Sequence, residues 1–310
     1  MNSYETHKKK GNDMNLDFLF EMLENQYGKE ITKNIINGYN SKRYTTFRVN
    51  LIRSSVVEVE DVLKSHKIEY EKVAWSNEAF ILKNASEKDI RELSIYKDGK
   101  IYLQSLSSML PPILLEPKSE LDILDMAAAP GGKTTQIASI TNNKANITAC
   151  EMNKVRAERL RYNLEKQGAN SYVMVQDARN IEDFFSFDKI LLDAPCSGSG
   201  TINLREPKLY QNFTEKLIQK SVATQKQLLD KALNILKPGK EMIYSTCSIL
   251  FCENEEVIET ILKKKKAQIV PIEFEQMEGL PVLPTKINGT LCVCPNEFYE
   301  GFFIAKIRKN

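Results

Sequence analysis

The stretch Phe187-Asp-Lys-Ile-Leu-Leu-Asp-Ala-Pro-Cys-Ser-Gly-Ser-Gly200 decides how this chain is read. Its apolar run, Ile190 to Leu192, ends in an acid, Asp193, and breaks at Pro195 into a turn rich in serine and glycine. A short apolar run bounded by turn residues reads as a strand buried on both faces of a parallel sheet. In open α/β sheets, ligands bind outside the carboxyl ends of such strands. Asp193 and Cys196 therefore stand where chemistry is done. A second cysteine has the same setting, in Glu241-Met-Ile-Tyr-Ser-Thr-Cys247-Ser248.

Outward from this stretch the pattern alternates. Strands are expected over residues 121–126, 147–151, 172–176, 241–245 and 268–272. Helices are expected over 133–140, 154–167, 214–236 and 253–263, with Gly168 and Lys237-Pro-Gly239 as stop signals. Residues 302–307 close the sheet as an antiparallel strand. This alternation predicts an α/β fold with a doubly wound, Rossmann-like sheet over residues 101–310. Residues 1–100 read as a smaller N-terminal α+β domain. Leu16, Leu19, Phe20, Leu23, Tyr27, Ile31 and Ile35 recur at helical spacing and give two short helices broken near Gly28. A strand follows over 43–51, a helix over 56–66, a hairpin turning at Ser76-Asn77 and a helix capped by Ser86. Residues 102–115, with Ser105, Ser107 and Ser108 before Pro111-Pro112, form a short joining helix. Residues 1–13, including Lys8-Lys9-Lys10, read as a disordered tail.

Composition narrows the function. The 310 residues suffice for a large and a small domain. With 43 basic against 41 acidic residues, a nucleic-acid partner must be held by local patches. No apolar run is long enough to span a membrane. The polar N-terminus lacks a signal core, so a cytoplasmic protein with reduced thiols is expected. A histidine general base is improbable, because His7 and His66 are the only histidines and neither sits in a motif.

Asp125-Met-Ala-Ala-Ala-Pro-Gly-Gly-Lys-Thr134 joins the first strand of the sheet to its helix. Gly131 and Gly132 allow a ligand close to the backbone, and the helix offers free N–H groups. Residues 127–134 match the phosphate-loop pattern except at its first glycine. Ala127 replaces that glycine, and Pro130 removes an N–H that would face phosphate. The alternative is a nucleoside cofactor lying across the strand ends. Glu151, after the second strand, would hold ribose hydroxyls, and Asp177, after the third, would stand near the base.

These residues resemble those of the RNA cytosine-5 methyltransferases of the RsmB/NOL1/NOP2/Sun family. The matching motifs are Ala127-Ala-Ala-Pro-Gly-Gly-Lys133, Asp193-Ala-Pro-Cys-Ser-Gly198 and Tyr244-Ser-Thr-Cys-Ser248, with Gln104-Ser-Leu-Ser-Ser108, Gly301-Phe-Phe-Ile-Ala305 and, more weakly, Arg48-Val-Asn50. The similarity runs over roughly residues 44–307. One departure is Met126-Ala127, where family members often carry a cysteine.

The resemblance implies a methyltransferase domain that uses S-adenosylmethionine and acts on ribosomal or transfer RNA. It implies a cofactor site built from Ala127, Ala128, Ala129, Pro130, Gly131, Gly132, Lys133, Glu151, Asp177 and Asp193. It assigns Cys247 as the nucleophile that adds to C6 of cytosine, and Cys196 as the residue needed for product release. The residues alone leave the order of the two cysteines open. Asp193 is placed to bind the N3/N4 edge of the base, and Lys133 to orient substrate or lower the thiolate pKa.

A monomer without metal is expected, since Cys292 and Cys294 alone are too few for zinc. Cys150 reads as core and Cys252 as a helix start. RNA-contact candidates are Lys42, Arg43, Arg48, Lys154, Arg156, Arg159, Arg161 and Arg205, while the run 263–266 reads as a solvated helix end. The competing functions are an inactive RNA-binding assembly factor, a P-loop ATPase and a DNA-directed enzyme.

Overall fold

The computed structural model describes residues 16–273 and 279–310, so the basic tail and His7 lie outside it. The chain opens with α1 (Asp17–Asn40), broken as expected at Gly28, whose φ is +76°. Then come β1 (Thr45–Val49), α2 (Val56–Ser65), β2 (Tyr70–Val73), β3 (Ser76–Leu82), α3 (Glu87–Glu92), α4 (Ser94–Lys97) and β4 (Ile101–Leu103). These four strands form an antiparallel sheet of order β2-β3-β1-β4. The change of pattern therefore falls one strand later than residue 100. The hairpin turns at Ala74-Trp75, earlier than expected, because Val73 already pairs with Ser76. Trp75 is anchored there, packing in the core beside Tyr299 and donating its Nε1–H to the Tyr299 hydroxyl at 3.0 Å.

The joining helix α5 (Leu106–Leu114) leads to β5 (Asp122–Asp125), α6 (Gly132–Ile140), β6 (Asn146–Cys150), α7 (Lys154–Gln167), β7 (Tyr172–Met174), β8 (Phe187–Asp193), α8 (Glu215–Ile235), β9 (Leu236–Thr246) and α9 (Glu255–Leu262). Helix α7 starts on the Asn153 side chain and stops at Gly168 in the left-handed region. Strands β10 (Ala267–Val270), β11 (Val282–Leu283), β12 (Leu291–Val293) and β13 (Phe302–Lys309) complete the described elements. The large sheet runs β11-β12-β13-β9-β8-β5-β6-β7. It is parallel from β9 to β7, and β13 is antiparallel to β9.

Two details differ from the sequence reading. Strand β13 does not close the sheet, since it lies between β9 and β12 and also pairs with β10. Strands β11 and β12 are too short to carry a periodic signal. The stop at Lys237-Pro-Gly239 lies inside β9, where residues 237–240 bulge between the Phe187↔Leu236 and Lys189↔Glu241 pairs. Lys237 pins the bulge to Asp188 at 2.9 Å.

The apolar run in β8 behaves as its composition requires. Ile190, Leu191 and Leu192 are fully buried. Side chains alternate across a strand, so Ile190 and Leu192 enter one core and Leu191 the other. Both faces of the sheet are therefore covered. Helices α8, α9 and α1 pack on one face, and α5 and α6 on the other.

Helix α1 thus packs on the large sheet and not on the small one. Tyr39 donates its hydroxyl to the Ser199 carbonyl at 2.6 Å, and Tyr27 donates to the Ile249 carbonyl at 2.7 Å. Both carbonyls belong to the loops that follow β8 and β9. A fragment beginning near residue 98 would lose this brace and the β1 partner of β4.

The β8 loop also touches the backbone of β13's approach. The Gly301 amide donates to the Gly200 carbonyl at 2.8 Å, and a Cβ on Gly200 would lie 2.0 Å from the Gly301 oxygen. Gly200→Ala should therefore push two backbones apart and cost about 1–3 kcal/mol in urea unfolding. An unchanged unfolding midpoint would show that the loop yields without strain.

Candidate active site

The carboxyl ends of β5, β8 and β9 meet in a cavity of about 340 Å³. Its floor is the loop between β5 and α6, with Ala127, Ala128, Ala129, Pro130, Gly132 and Lys133 in the lining. Gly131 does not line it. Its φ of +108° starts α6, and a Cβ there would meet Leu160 of α7 at 3.0 Å. Residues 102–105, Ser108, Thr201, Glu300 and Phe302 supply the opposite wall.

Asp193 ties three elements together. Lys133 donates to its Oδ2 at 2.6 Å and Ser245 to its Oδ1 at 2.8 Å. Lys133 also donates to Ser108 Oγ at 2.7 Å. Deeper in the cavity, Asp125 is 1% exposed. Its Oδ2 accepts from Thr134 at 2.7 Å, while buried Oδ1 has no hydrogen-bond partner of good geometry. Burial pushes this carboxyl up to about 6, against the pull of Thr134, Lys133 and the Ala127 amide.

The two cysteines meet. Cys196 Sγ lies 3.0 Å from Cys247 Sγ, a thiol hydrogen bond, and both are free. Cys247 lines the cavity and Cys196 stands behind it. The hydrogen bond to Cys247, burial and nearby negative charge push the Cys196 thiol well up.

Of the other sequence candidates, neither Glu151 nor Asp177 lines this cavity, though both follow strands at the same sheet edge. Glu151 is 3% exposed and accepts from the Asn153 amide at 2.8 Å, with Arg156 at 3.4 Å. Asp177 is held by Arg179, first through side-chain hydrogen bonds, which lower its pKa.

Arg48 is no RNA contact. It is 3% exposed, donates to the Gly132 carbonyl at 2.9 Å and to Thr135 Oγ1 at 2.7 Å, and lies over the Tyr102 ring. Arg43 is half-buried against Glu300 and the carbonyls of Thr201 and Ile202. Lys154, Arg156, Arg159, Arg161 and Arg205 are exposed. Cys150 is core. Among the described residues no group of three or more His, Cys, Asp or Glu side chains could hold a metal ion, and no helix is long and apolar enough to cross a membrane.

Sequence reasoning missed Glu253, which is fully buried and joins the loops after β8 and β9. It had been read as a helix start. It also missed the site role of Ser245 and Tyr102. Ser108 belonged to a matching motif, which was the available signal. Glu253 offered none, because its partners Ser197 and Ser248 come together only in the fold.

The geometry agrees with three comparisons. Residues 112–308 match the model of the 16S rRNA methyltransferase RsmB/F family, and residues 17–88 match the ferredoxin-like domain of RsmF/B-like proteins. The chain is 34% identical over 276 residues to ribosomal RNA small subunit methyltransferase F of Shewanella loihica, covering 85% of this chain and 56% of that protein. It is 34% identical over 275 residues to tRNA (cytosine(49)-C(5))-methyltransferase of Pyrococcus abyssi, covering 85% and 88%. The chain thus spans little more than half of the former protein and most of the latter. A methyltransferase homolog from Pyrococcus horikoshii superposes with a TM-score of 0.82 at 33% identity, covering 96% of each chain. NSun6 from Pyrococcus horikoshii, solved with SFG, superposes with a TM-score of 0.83 at 25% identity, covering 94% of this chain and 97% of that one. With a family match over residues 112–308 and a relative 34% identical over 85% of the chain, this chain belongs to the RsmB/F family of RNA methyltransferases.

Proposed function

We propose that this protein transfers a methyl group from S-adenosylmethionine to C5 of a cytosine in RNA. The observation that carries the reading is the pair of free thiols, of which Cys247 alone lines the cavity that also holds Lys133 and Asp193. C5 of cytosine is a poor nucleophile until a thiolate adds at C6. Cys247 would form that bond, leaving an electron pair at C5. S-adenosylmethionine, when bound, supplies the methyl group on its sulfonium. Once that pair has bonded the methyl group, a base removes the C5 proton, the C5–H electron pair forms the C5=C6 bond, and the Cys247–C6 bond breaks to release the thiolate. Cys196, in contact with the Cys247 sulfur, would serve that release.

Asp193 would bind the N3/N4 edge of the base, with Lys133 and Ser245 fixing its carboxylate. Such chemistry needs the face of the base, so the cytosine must be unpaired or flipped out. Exposed basic residues on α7 and the small N-terminal domain would guide the strand. Ribosomal RNA is the substrate class of this reading. The relative of similar length acts by name on transfer RNA, so both belong in the assay.

The cavity fits this cofactor. The buried Asp125 oxygen without a good partner would accept from an ammonium group, which S-adenosylmethionine carries and ATP lacks. A triphosphate beside that carboxylate would be repelled. Lys133 is already committed to Asp193 and Ser108. The neighbour solved with SFG, an analogue of this cofactor, supports the same reading. Glu151, at the end of β6, would take the ribose hydroxyls, and Asp177 would stand near the adenine once freed from Arg179.

Calorimetry should show S-adenosylmethionine binding and no comparable binding of ATP. Tighter binding of ATP would sink the cofactor assignment. Glu151→Ala should weaken the cofactor by about 1–3 kcal/mol, the cost of an unpaired buried polar group.

The roles of the thiols separate on a denaturing gel with labelled RNA and cofactor. Cys196→Ala should methylate once and stall as a slow protein–RNA band. Cys247→Ala and the double variant should give no band and no methylation. A band that follows Cys247→Ala instead would reverse the assignment.

A further inference from the structure

We infer that Glu253 is a positioning residue that holds the two active-site thiols in unequal roles, with Cys196 carrying the proton and Cys247 presented to the substrate. The inference rests on the methyl-transfer reading above and goes beyond it by naming what enforces the asymmetry.

Glu253 is fully buried, and the groups that donate to its carboxylate are all neutral. The Ser197 amide donates to Oε1 at 2.7 Å, and Gln225 lies 3.4 Å from the same oxygen. The Ser197 and Ser248 hydroxyls both donate to Oε2, at 2.5 and 2.6 Å. Ser197 directly follows Cys196, and Ser248 directly follows Cys247. The other end of Glu253 is fixed too, because Tyr244 of β9 donates its hydroxyl to the Glu253 carbonyl at 2.7 Å. One side chain therefore sets the spacing of two loops whose sulfurs stand 3.0 Å apart.

Its charge acts as well as its shape. Burial pushes the Glu253 carboxyl above its ordinary range, and the hydrogen bonds from Ser197, Ser248 and Gln225 pull it back; in its ionised form it raises the cost of a second anion nearby. Glu253 is among the groups whose negative charge opposes ionisation of Cys196. Ionisation is thereby opposed at Cys196, whose sulfur lies 3.0 Å from that of Cys247. Burying a carboxylate is costly, and a purely structural tie between these loops could be made by neutral side chains. A negative charge at this position therefore fits an electrostatic role.

The test is thiol alkylation of the full-length protein by iodoacetamide at neutral pH, mapped by peptide mass spectrometry without RNA or cofactor. In the native protein Cys247 should be modified faster than Cys196. Glu253→Gln keeps the shape, removes the charge and gives up an acceptor. It should lower the Cys247-to-Cys196 rate ratio roughly tenfold, the effect of about one pKa unit on thiolate population. Ser197→Ala removes one hydrogen bond of the tie and should shift the ratio the same way by a smaller factor. Both are measured well below their own thermal midpoints, so a loss of stability alone would not move the ratio. If Glu253→Gln fails to fold, Ser197→Ala and Ser248→Ala carry the test. An unchanged ratio in the folded variants overturns the role of Glu253 and leaves the methyl-transfer reading standing. Faster modification of Cys196 in the native protein overturns the assignment of the nucleophile itself.

Discussion

The carboxylate of Asp193 is the point on which the site depends. It ends β8 and accepts one hydrogen bond from α6 and one from β9. Strands β8 and β9 are still paired at this point, with the Ala194 amide donating to the Ser245 carbonyl at 2.8 Å. The charge-assisted bond from Lys133, short and directional, adds α6 to that pair. Lys133 is thereby fixed over the cavity, and the glycine loop behind it is fixed with it. A mobile lysine at this position would leave this wall of the cavity undefined.

Much of this was legible in the sequence, for physical reasons that differ by element. Residues 190–192 announced β8 because a strand covered on both faces favours an unbroken apolar run. The ends of α7 were legible because Asn153 and Gly168 satisfy local hydrogen-bonding and backbone demands. Strands β11 and β12 were not, since two or three residues show no period. The hairpin turn was misplaced because Trp75 obeys a long-range partner, Tyr299, that local turn preference cannot see. The same reason hid Arg48 and Glu253. An arginine in a strand of the small sheet reads as surface, and only the tertiary fold reveals that it is buried against another element.

The division of labour between the two parts of the chain is less simple than their sequences suggest. The small sheet has its own core, with Phe47 stacked on Phe80. Helix α1, which precedes it, serves the large sheet by holding the carbonyls of Ser199 and Ile249. The chain thus crosses the catalytic framework before it builds the small sheet, and returns to it through α5. Rigidity at the thiols comes from residues distant in sequence, as expected where loops must hold reacting atoms in one geometry.

The guanidinium of Arg48 has a consequence for how such proteins can be recombined. It belongs to β1, yet its hydrogen bonds end on Gln104, Gly132 and Thr135, and its plane rests on Tyr102. The graft boundary for a hybrid enzyme therefore does not lie between the small sheet and the large one. A donor sheet without an arginine at this position would strip the Gly132 carbonyl and the Thr135 hydroxyl of their charged donor, leaving the bonds from Thr135 to the Gly131 and Gly132 carbonyls. One that brought the arginine to an acceptor lacking those groups would inter an unsatisfied cation. Exchange of the small sheet within this family is constrained to partners that match across that seam.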